Sequence, residues 1–170
     1  MRRPIAALGV ATADSRQNPG ESDGYGPSTR ELDRTMSGDL EVTQEFMFSA
    51  AHRLPGYDGP CEDVHGHNYK LTVTVKGPVH NRSGMVIDFR TLEEVVKKNI
   101  FPQLDHRMLN DFMENPTAEY MVVWIWGKLK DDLPGLCRLT LYEQPGSSVT
   151  YCGPEGAGSC GCRAEGRRSG

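Results

Sequence analysis

The segment Glu41–Val79, EVTQEFMFSAAHRLPGYDGPCEDVHGHNYKLTVTVKGPV, carries the pattern that decides the fold. Apolar and polar residues alternate along part of Glu41–His52 and alternate regularly within Tyr69–Val79. A period of two is typical of a strand that buries one face against a core. Between the two runs, Pro55–Pro60 contains two prolines and two glycines, which interrupt an extended chain. We therefore predict two strands that pair as antiparallel neighbours.

Two helical segments and two short strands follow along the chain. Apolar residues recur near helical spacing in Asp88–Ile100. A second helix is predicted to start with Asn115-Pro116, as cap and first-turn proline, and to run to about Lys130. Arg138–Glu143 and Val149–Cys152 close the domain as strands. The order ββααββ predicts an α+β domain with two helices on one face of an antiparallel four-stranded sheet.

Both ends of the chain differ in composition from its middle. Residues 1–39 are rich in Gly, Ser, Pro, Asp and Arg, and residues 153–170 are rich in Gly and include Cys160 and Cys162. Such segments cannot bury enough apolar surface to offset the entropy that ordering costs. We predict a disordered N-terminal extension over 1–39, a single domain over 40–152 and a flexible tail over 153–170.

Composition excludes several classes of protein. No stretch approaches the roughly 18 apolar residues of a membrane-spanning helix, so we expect no membrane partner. A net charge of -4 without a basic block argues against a nucleic-acid partner. Five scattered cysteines do not form a disulfide framework and favour a reducing compartment, the cytoplasm. The alternative is that Arg2-Arg3 and the weakly apolar residues after them are an organellar leader.

The segment with the most chemical information is Cys61–His67, CEDVHGH. His65 and His67 stand two apart at the start of a predicted strand, which puts both rings on one face. Pairing of the first two strands could bring His52 alongside them. An HxH pair alone is more often a surface feature, but here Cys61 and an Asp105-His106 pair accompany it. Three neutral histidines leave the fourth zinc position open, as in catalytic rather than structural sites.

Six motifs resemble, in the same order, those of the 6-pyruvoyl-tetrahydropterin synthases and their bacterial relatives, the 6-carboxy-tetrahydropterin synthases. They are FSAAHRLP at 48–55, C-x-x-x-H-G-H at 61–67, GMVIDF at 84–89, LDHRMLND at 104–111, NPTAE at 115–119 and LYEQ at 141–144. The resemblance covers about residues 41–152. It implies a tunnelling fold, in which ββααββ subunits join their sheets into barrels. It also implies a homohexamer, a dimer of trimers, with active sites between subunits.

The resemblance implies roles for the residues that match these motifs. The implied zinc ligands are His52, His65 and His67. The implied proton-transfer group consists of Cys61, Asp105 and His106. The implied substrate contacts are Glu143, which can hold the pterin edge in a bidentate pair, with Thr117 and Glu119 nearby. Zinc would lower the pKa of hydroxyl groups on the substrate side chain while the Cys61 thiolate removes a neighbouring proton.

The resemblance implies an enzyme, a carbon-oxygen lyase that eliminates phosphate from 7,8-dihydroneopterin triphosphate. The implied product is 6-pyruvoyl-tetrahydropterin or 6-carboxy-tetrahydropterin. A third class has E-x-x-H-G-H, uses a glutamate as the base and cleaves the substrate to 6-hydroxymethyl-7,8-dihydropterin for folate synthesis. Cys61 matches the cysteine pattern and Glu62 the glutamate pattern, so the product stays open. A non-catalytic pterin-binding or zinc-binding module is the alternative from another class, and the acid-base residues argue against it.

Overall fold

The structure, a computed structural model, describes residues 38–154. Along the chain it contains β1 (Leu40–His52), β2 (His65–Gly77), α1 (Phe89–Leu104), β3 (Arg107–Met108), α2 (Ala118–Leu129), β4 (Leu136–Gln144) and β5 (Ser147–Tyr151). Single turns of 3-10 helix lie at Pro60–Glu62 and Leu109–Asp111. None of the helices within 38–154 is long and apolar enough to cross a bilayer. The predicted extension and tail lie outside the described residues, apart from 38, 39, 153 and 154.

All five strands form one sheet in the order β3-β1-β2-β4-β5. β1 and β2 pair as antiparallel neighbours along their whole length, from Leu40↔Gly77 to His52↔His65, which confirms the predicted pairing. The expectation of four antiparallel strands was wrong in one respect, because β3 adds a short strand parallel to β1. A strand of two residues is too short to show any alternation in the sequence.

The α+β class is confirmed, and a single core joins the sheet to both helices. Residues on one face of the sheet and on the inner sides of α1 and α2 are buried together. The largest of them include Tyr69, Leu71, Leu139 and Leu141 from the strands and Leu92, Ile100, Met121, Ile125 and Leu129 from the helices. The alternation of the strands therefore selects which side chains face the helices, as predicted.

The start of α2 differs from the prediction. Thr117 rather than Asn115 is the N-cap, and its hydroxyl accepts a hydrogen bond from the Tyr120 amide at 3.4 Å. Threonine caps helices by the same mechanism as asparagine, so Asn115 and Thr117 offered nearly equivalent starts. Pro116 therefore precedes the helix instead of lying in its first turn. This placement leaves the Pro116 carbonyl available to the site described next.

Candidate functional site

Three histidines continue the buried face of the sheet beyond its apolar residues. On β1, His52 lies on the same face as Phe48 and is 1% exposed. On β2, His65 and His67 lie on the same face as the buried Tyr69. The register pairs His52 with His65 and Ala50 with His67. As a result, one ring nitrogen of each histidine lies within 4.8 Å of the others, a group that could hold a metal ion.

Backbone carbonyl groups fix the orientation of two of these rings. His52 Nδ1 lies 2.8 Å from the Pro116 carbonyl oxygen, and His65 Nδ1 lies 2.8 Å from the Asp63 carbonyl oxygen. A carbonyl oxygen only accepts, so each Nδ1 carries the proton and donates it. Each Nε2 then presents a lone pair, and the two Nε2 atoms are 3.0 Å apart. Two lone pairs facing each other at this distance repel unless a cation lies between them, which fits a metal ion.

His67 completes the group with a buried ring nitrogen. Its Nε2 is buried and forms no hydrogen bond within residues 38–154, although Glu143 Oε1 lies 3.5 Å away. Burial lowers the pKa of His67, an effect that the Glu143 carboxylate opposes and that His52 and His65 reinforce. A buried polar atom without a partner is costly. A neutral ring with such a nitrogen suits metal ligation.

The predicted substrate contacts meet in one cavity beside the histidines. Thr117, Glu119 and Glu143 all line a cavity of about 480 Å³, together with Leu54 and the turn between β4 and β5. Glu143 reaches both this cavity and His67. The Thr117 hydroxyl is also the cap of α2. A ligand held by Glu143 would therefore lie next to the histidine cluster.

Asp105 and His106 form a tight pair at the edge of the sheet. Asp105 Oδ1 accepts a hydrogen bond from the Ser49 amide at 3.1 Å and lies 2.9 Å from His106 Nδ1. The Ser49 amide, helped by His106, lowers the pKa of Asp105 against the opposing effect of burial. The side chain of His106 is 82% exposed, and the residue borders a cavity of about 520 Å³ that His67 also lines. The pair therefore presents an imidazole outward.

His106 adopts a left-handed backbone conformation, which is unfavourable for residues other than glycine. Its φ of 56° is the only positive φ of a non-glycine residue within 38–154. This region costs roughly 1–2 kcal/mol relative to a right-handed conformation. The His106 amide donates a hydrogen bond of 2.6 Å to the Ser49 carbonyl, and this contact stabilises the conformation. Strain of this kind clusters at functional sites.

Cys61 and Glu62 lie in the 3-10 turn between β1 and β2, where Cys61 is half-buried and Glu62 is exposed. The Leu54 amide donates to the Cys61 carbonyl at 2.8 Å, which ties this turn to the end of β1. Among residues 38–154, no hydrogen bond joins the Cys61 thiol to Asp105 or His106. Within the described residues, Asp105 and His106 therefore form a hydrogen-bonded pair that does not include Cys61.

Sequence reasoning missed the groups that orient the site. The carbonyls of Asp63 and Pro116 carry no signal in the sequence, because every residue has a carbonyl. Ser49 binds Asp105 and His106 through its backbone, which is equally invisible. In the sequence Asn110 is one letter of a longer motif, although in the structure its side chain binds the backbone of Arg53. The motif letters LDHRMLND were the one available signal for it.

Comparison with known proteins agrees with this geometry. Residues 41–154 match the family model described as 6-pyruvoyl tetrahydropterin synthase. A 6-carboxy-5,6,7,8-tetrahydropterin synthase from Synechocystis is 35% identical over 120 residues, covering 66% of this chain and 93% of the relative. A dihydroneopterin monophosphate aldolase from Pyrococcus furiosus is 40% identical over 99 residues, covering 56% of this chain and 82% of the relative.

A solved structure shows the same relationship in three dimensions. The 6-pyruvoyl tetrahydropterin synthase of Caenorhabditis elegans superposes with a TM-score of 0.62 and 30% identity, covering 68% of this chain and 96% of that one. The resemblance predicted from the six motifs is therefore confirmed. The chain belongs to the 6-pyruvoyl tetrahydropterin synthase family of enzymes.

Proposed function

We propose that the protein is a zinc-dependent lyase that converts 7,8-dihydroneopterin triphosphate into 6-pyruvoyl-tetrahydropterin or 6-carboxy-tetrahydropterin. The observation that carries the proposal is the pair of Nε2 atoms of His52 and His65, 3.0 Å apart with both Nδ1 protons engaged by carbonyls. This pair lies beside a cavity that contains a carboxylate suited to a pterin. The names of the relatives in Synechocystis and Caenorhabditis elegans support the same chemistry.

The donor set supports zinc as the metal. Three neutral imidazoles with an open fourth position are the ligands of many catalytic zinc sites. Two nitrogens at ordinary zinc bond lengths and a tetrahedral angle lie about 3.3 Å apart, close to the 3.0 Å between His52 and His65. When bound there, zinc would polarise hydroxyl or carbonyl oxygens on the substrate side chain.

Glu143 is proposed to orient the pterin. Its carboxylate can accept hydrogen bonds from the amino group and the adjacent ring N–H of the pterin edge. Because Glu143 lies between the cavity and His67, a pterin held there would extend its side chain toward the histidines. Thr117 and Glu119 line the same cavity, which supports their proposed contact with the substrate.

Cys61 and the Asp105-His106 pair are proposed to move protons. Asp105 holds the Nδ1–H of His106, so that His106 Nε2 faces outward and can exchange a proton. A thiolate at Cys61 would accept the proton from the substrate side chain. Because no hydrogen bond joins Cys61 to His106 within residues 38–154, and the side chain of His106 is exposed, we propose that two subunits supply these groups to a shared active site.

The edges of the sheet support such an assembly. β3 pairs only with Ala50 and Ala51, so within 38–154 the outer edge of β1 is unpaired from Leu40 to Phe48. β5 forms the opposite edge of the sheet. Unpaired edges are templates for strand addition, and closing them between subunits satisfies their backbone groups. We propose a homo-oligomer in which the sheets join into barrels, a dimer of trimers. Its proposed ligand is a small pterin and not a nucleic acid.

A second reaction has its own support. Glu62 lies one residue after Cys61 in the same turn and is exposed. The 40% identical relative from Pyrococcus furiosus is named a dihydroneopterin monophosphate aldolase. Glu62 could therefore act as the base that cleaves the side chain to give 6-hydroxymethyl-7,8-dihydropterin.

The metal assignment predicts the behaviour of two histidine variants. His65→Ala and His67→Ala should each lose most of the bound zinc, measured by metal analysis of the purified protein, and should lose turnover. Both should stay folded by circular dichroism, because these histidines lie beyond the apolar core. His80→Ala is the matched control, since His80 is an exposed histidine in a turn outside the cluster. Full zinc occupancy in both site variants would refute the assignment.

The two candidate bases should be separable by their products, identified by mass spectrometry after incubation with dihydroneopterin triphosphate. Cys61→Ala should lower formation of the pyruvoyl or carboxy product by roughly a hundred- to ten-thousand-fold. Glu62→Gln should lower only the hydroxymethyl product, because the amide keeps the shape but not the basicity.

Asp63→Asn is the control for these two variants, because Asp63 contacts His65 through its carbonyl rather than its carboxylate. It should leave all products unchanged. Normal rates for every product in Cys61→Ala would show that the thiol takes no part in the reaction.

The proposed pterin anchor predicts a binding defect. Glu143→Gln should raise the KM for the pterin substrate roughly 10- to 100-fold, because hydrogen bonds to a charged group contribute about 1.5–3 kcal/mol. Steady-state kinetics measure this change. Glu45→Gln is the control, since Glu45 is exposed on the opposite face of the sheet, where it pairs with Lys70. An unchanged KM in Glu143→Gln would remove the anchor from the proposal.

The open strand edges predict an oligomer in solution. Light scattering coupled to size-exclusion chromatography should give a mass several times that of one chain, and the mass should hold on dilution through the range used for assays. If the active site is shared between subunits, the rate of turnover should be proportional to the fraction of the protein that is oligomeric. A stable monomer with full activity is the result that contradicts both statements.

A further inference from the structure

The side chain of Asn110 binds both backbone polar groups of Arg53. The Arg53 amide donates to Asn110 Oδ1 at 2.9 Å, and Asn110 Nδ2 donates to the Arg53 carbonyl at 3.0 Å. A carboxamide offers one acceptor and one donor side by side, as a residue of a neighbouring strand does. β3 itself pairs with β1 only at Ala50 and Ala51. Asn110 therefore extends this pairing two residues beyond the end of β3's ladder.

The contact reaches the turn that contains Cys61 in two further steps. Arg53 directly follows His52 and precedes Leu54. The Leu54 amide donates to the Cys61 carbonyl at 2.8 Å. Asn110, Arg53, Leu54 and Cys61 thus form a continuous series of backbone and side-chain contacts from the segment after β3 to the candidate base.

The other backbone hydrogen bonds described at the start of this loop join residues of the loop to one another, such as the 3.2 Å bond from the Tyr57 amide to the Leu54 carbonyl. Pro55, Gly56, Tyr57 and Asp58 are all exposed. A segment that buries little apolar surface depends on its hydrogen bonds for a defined position. The His52 ring has a separate anchor in the Pro116 carbonyl, but that contact precedes Arg53 and does not reach Cys61. The Asn110 side chain is consequently the contact best placed to fix the path of the chain toward the turn.

We infer that Asn110 is a positioning residue, which sets the location of Cys61 relative to the histidine cluster by holding Arg53. The inference rests on the proposed function, since that proposal gives Cys61 its chemical role. Asn110 acts through the backbone of Arg53 and needs no contact with the substrate. The polar substrate contacts Glu143, Thr117 and Glu119 lie outside this series of hydrogen bonds, although Leu54, which belongs to it, lines the same cavity.

Amide hydrogen exchange tests whether Asn110 holds the segment. Asn110→Ala removes both hydrogen bonds, and the Leu54 amide should then exchange roughly tenfold faster or more. The acceptor of Leu54 is the Cys61 carbonyl, which the substitution does not touch, so faster exchange there reports movement of the segment. Asn110→Asp should give an intermediate rate, because its carboxylate still accepts from Arg53 but cannot donate to its carbonyl.

Asn99→Ala is the matched control. Asn99 also donates through its side chain, to Asp132 at 2.9 Å, in a contact that joins α1 to the segment after α2. This variant should leave exchange at Leu54 and turnover unchanged. If Asn110→Ala does not fold, Asn110→Asp carries the comparison with the same control.

Kinetics then separate positioning from general stability. Asn110→Ala should lower kcat roughly 10- to 100-fold and leave KM within about threefold, because the polar contacts proposed to bind the pterin are not in the series. Zinc content should stay at the wild-type value, since Pro116 still anchors His52. Exchange at Leu54 equal to wild type, or normal kcat despite faster exchange, overturns the inference. A wild-type protein without turnover refutes the proposed function instead, and the exchange rates alone then decide the role of Asn110.

Discussion

The register of β1 against β2 is the constraint on which both the core and the candidate metal site depend. The pairing of His52 with His65 is the last step of the ladder whose earlier steps include Phe48 with Tyr69. Side chains alternate between faces, so a slip of one residue would turn the apolar set toward solvent and disperse the histidines at the same time. The burial that stabilises the sheet therefore also assembles the candidate metal ligands.

The parts of the structure that were predictable from sequence are those that depend on the periodicity of side chains. The alternation of apolar and polar residues predicted β1 and β2, and the spacing of His65 and His67 predicted that both rings lie on one face. Other features depend on the backbone. β3 has two residues and no period, and Thr117 competed with Asn115 as the cap of α2. The carbonyls that orient His52 and His65 belong to any residue type, so only the folded chain identifies them.

The candidate site has two parts, and only one of them is proposed to be complete within a single chain. The histidine cluster and the cavity containing Glu143 form within a single subunit. The Asp105-His106 pair lies at the edge of the sheet beside β1, where its hydrogen bonds to Ser49 hold it. Its imidazole is exposed, and within residues 38–154 no hydrogen bond joins it to Cys61. The fold of one chain therefore contains the part that is proposed to bind metal and pterin, and assembly is proposed to complete the part that moves protons.

The use of the Pro116 carbonyl as the partner of His52 has a consequence for how the sequence can change. The segment between α1 and α2 supplies this carbonyl, and it also supplies the side chain of Asn110. A substitution at position 116 keeps the carbonyl, whereas inserting or deleting one residue between Asn110 and Thr117 would move it away from the ring. The length of this segment is therefore more strongly constrained than the identity of its residues.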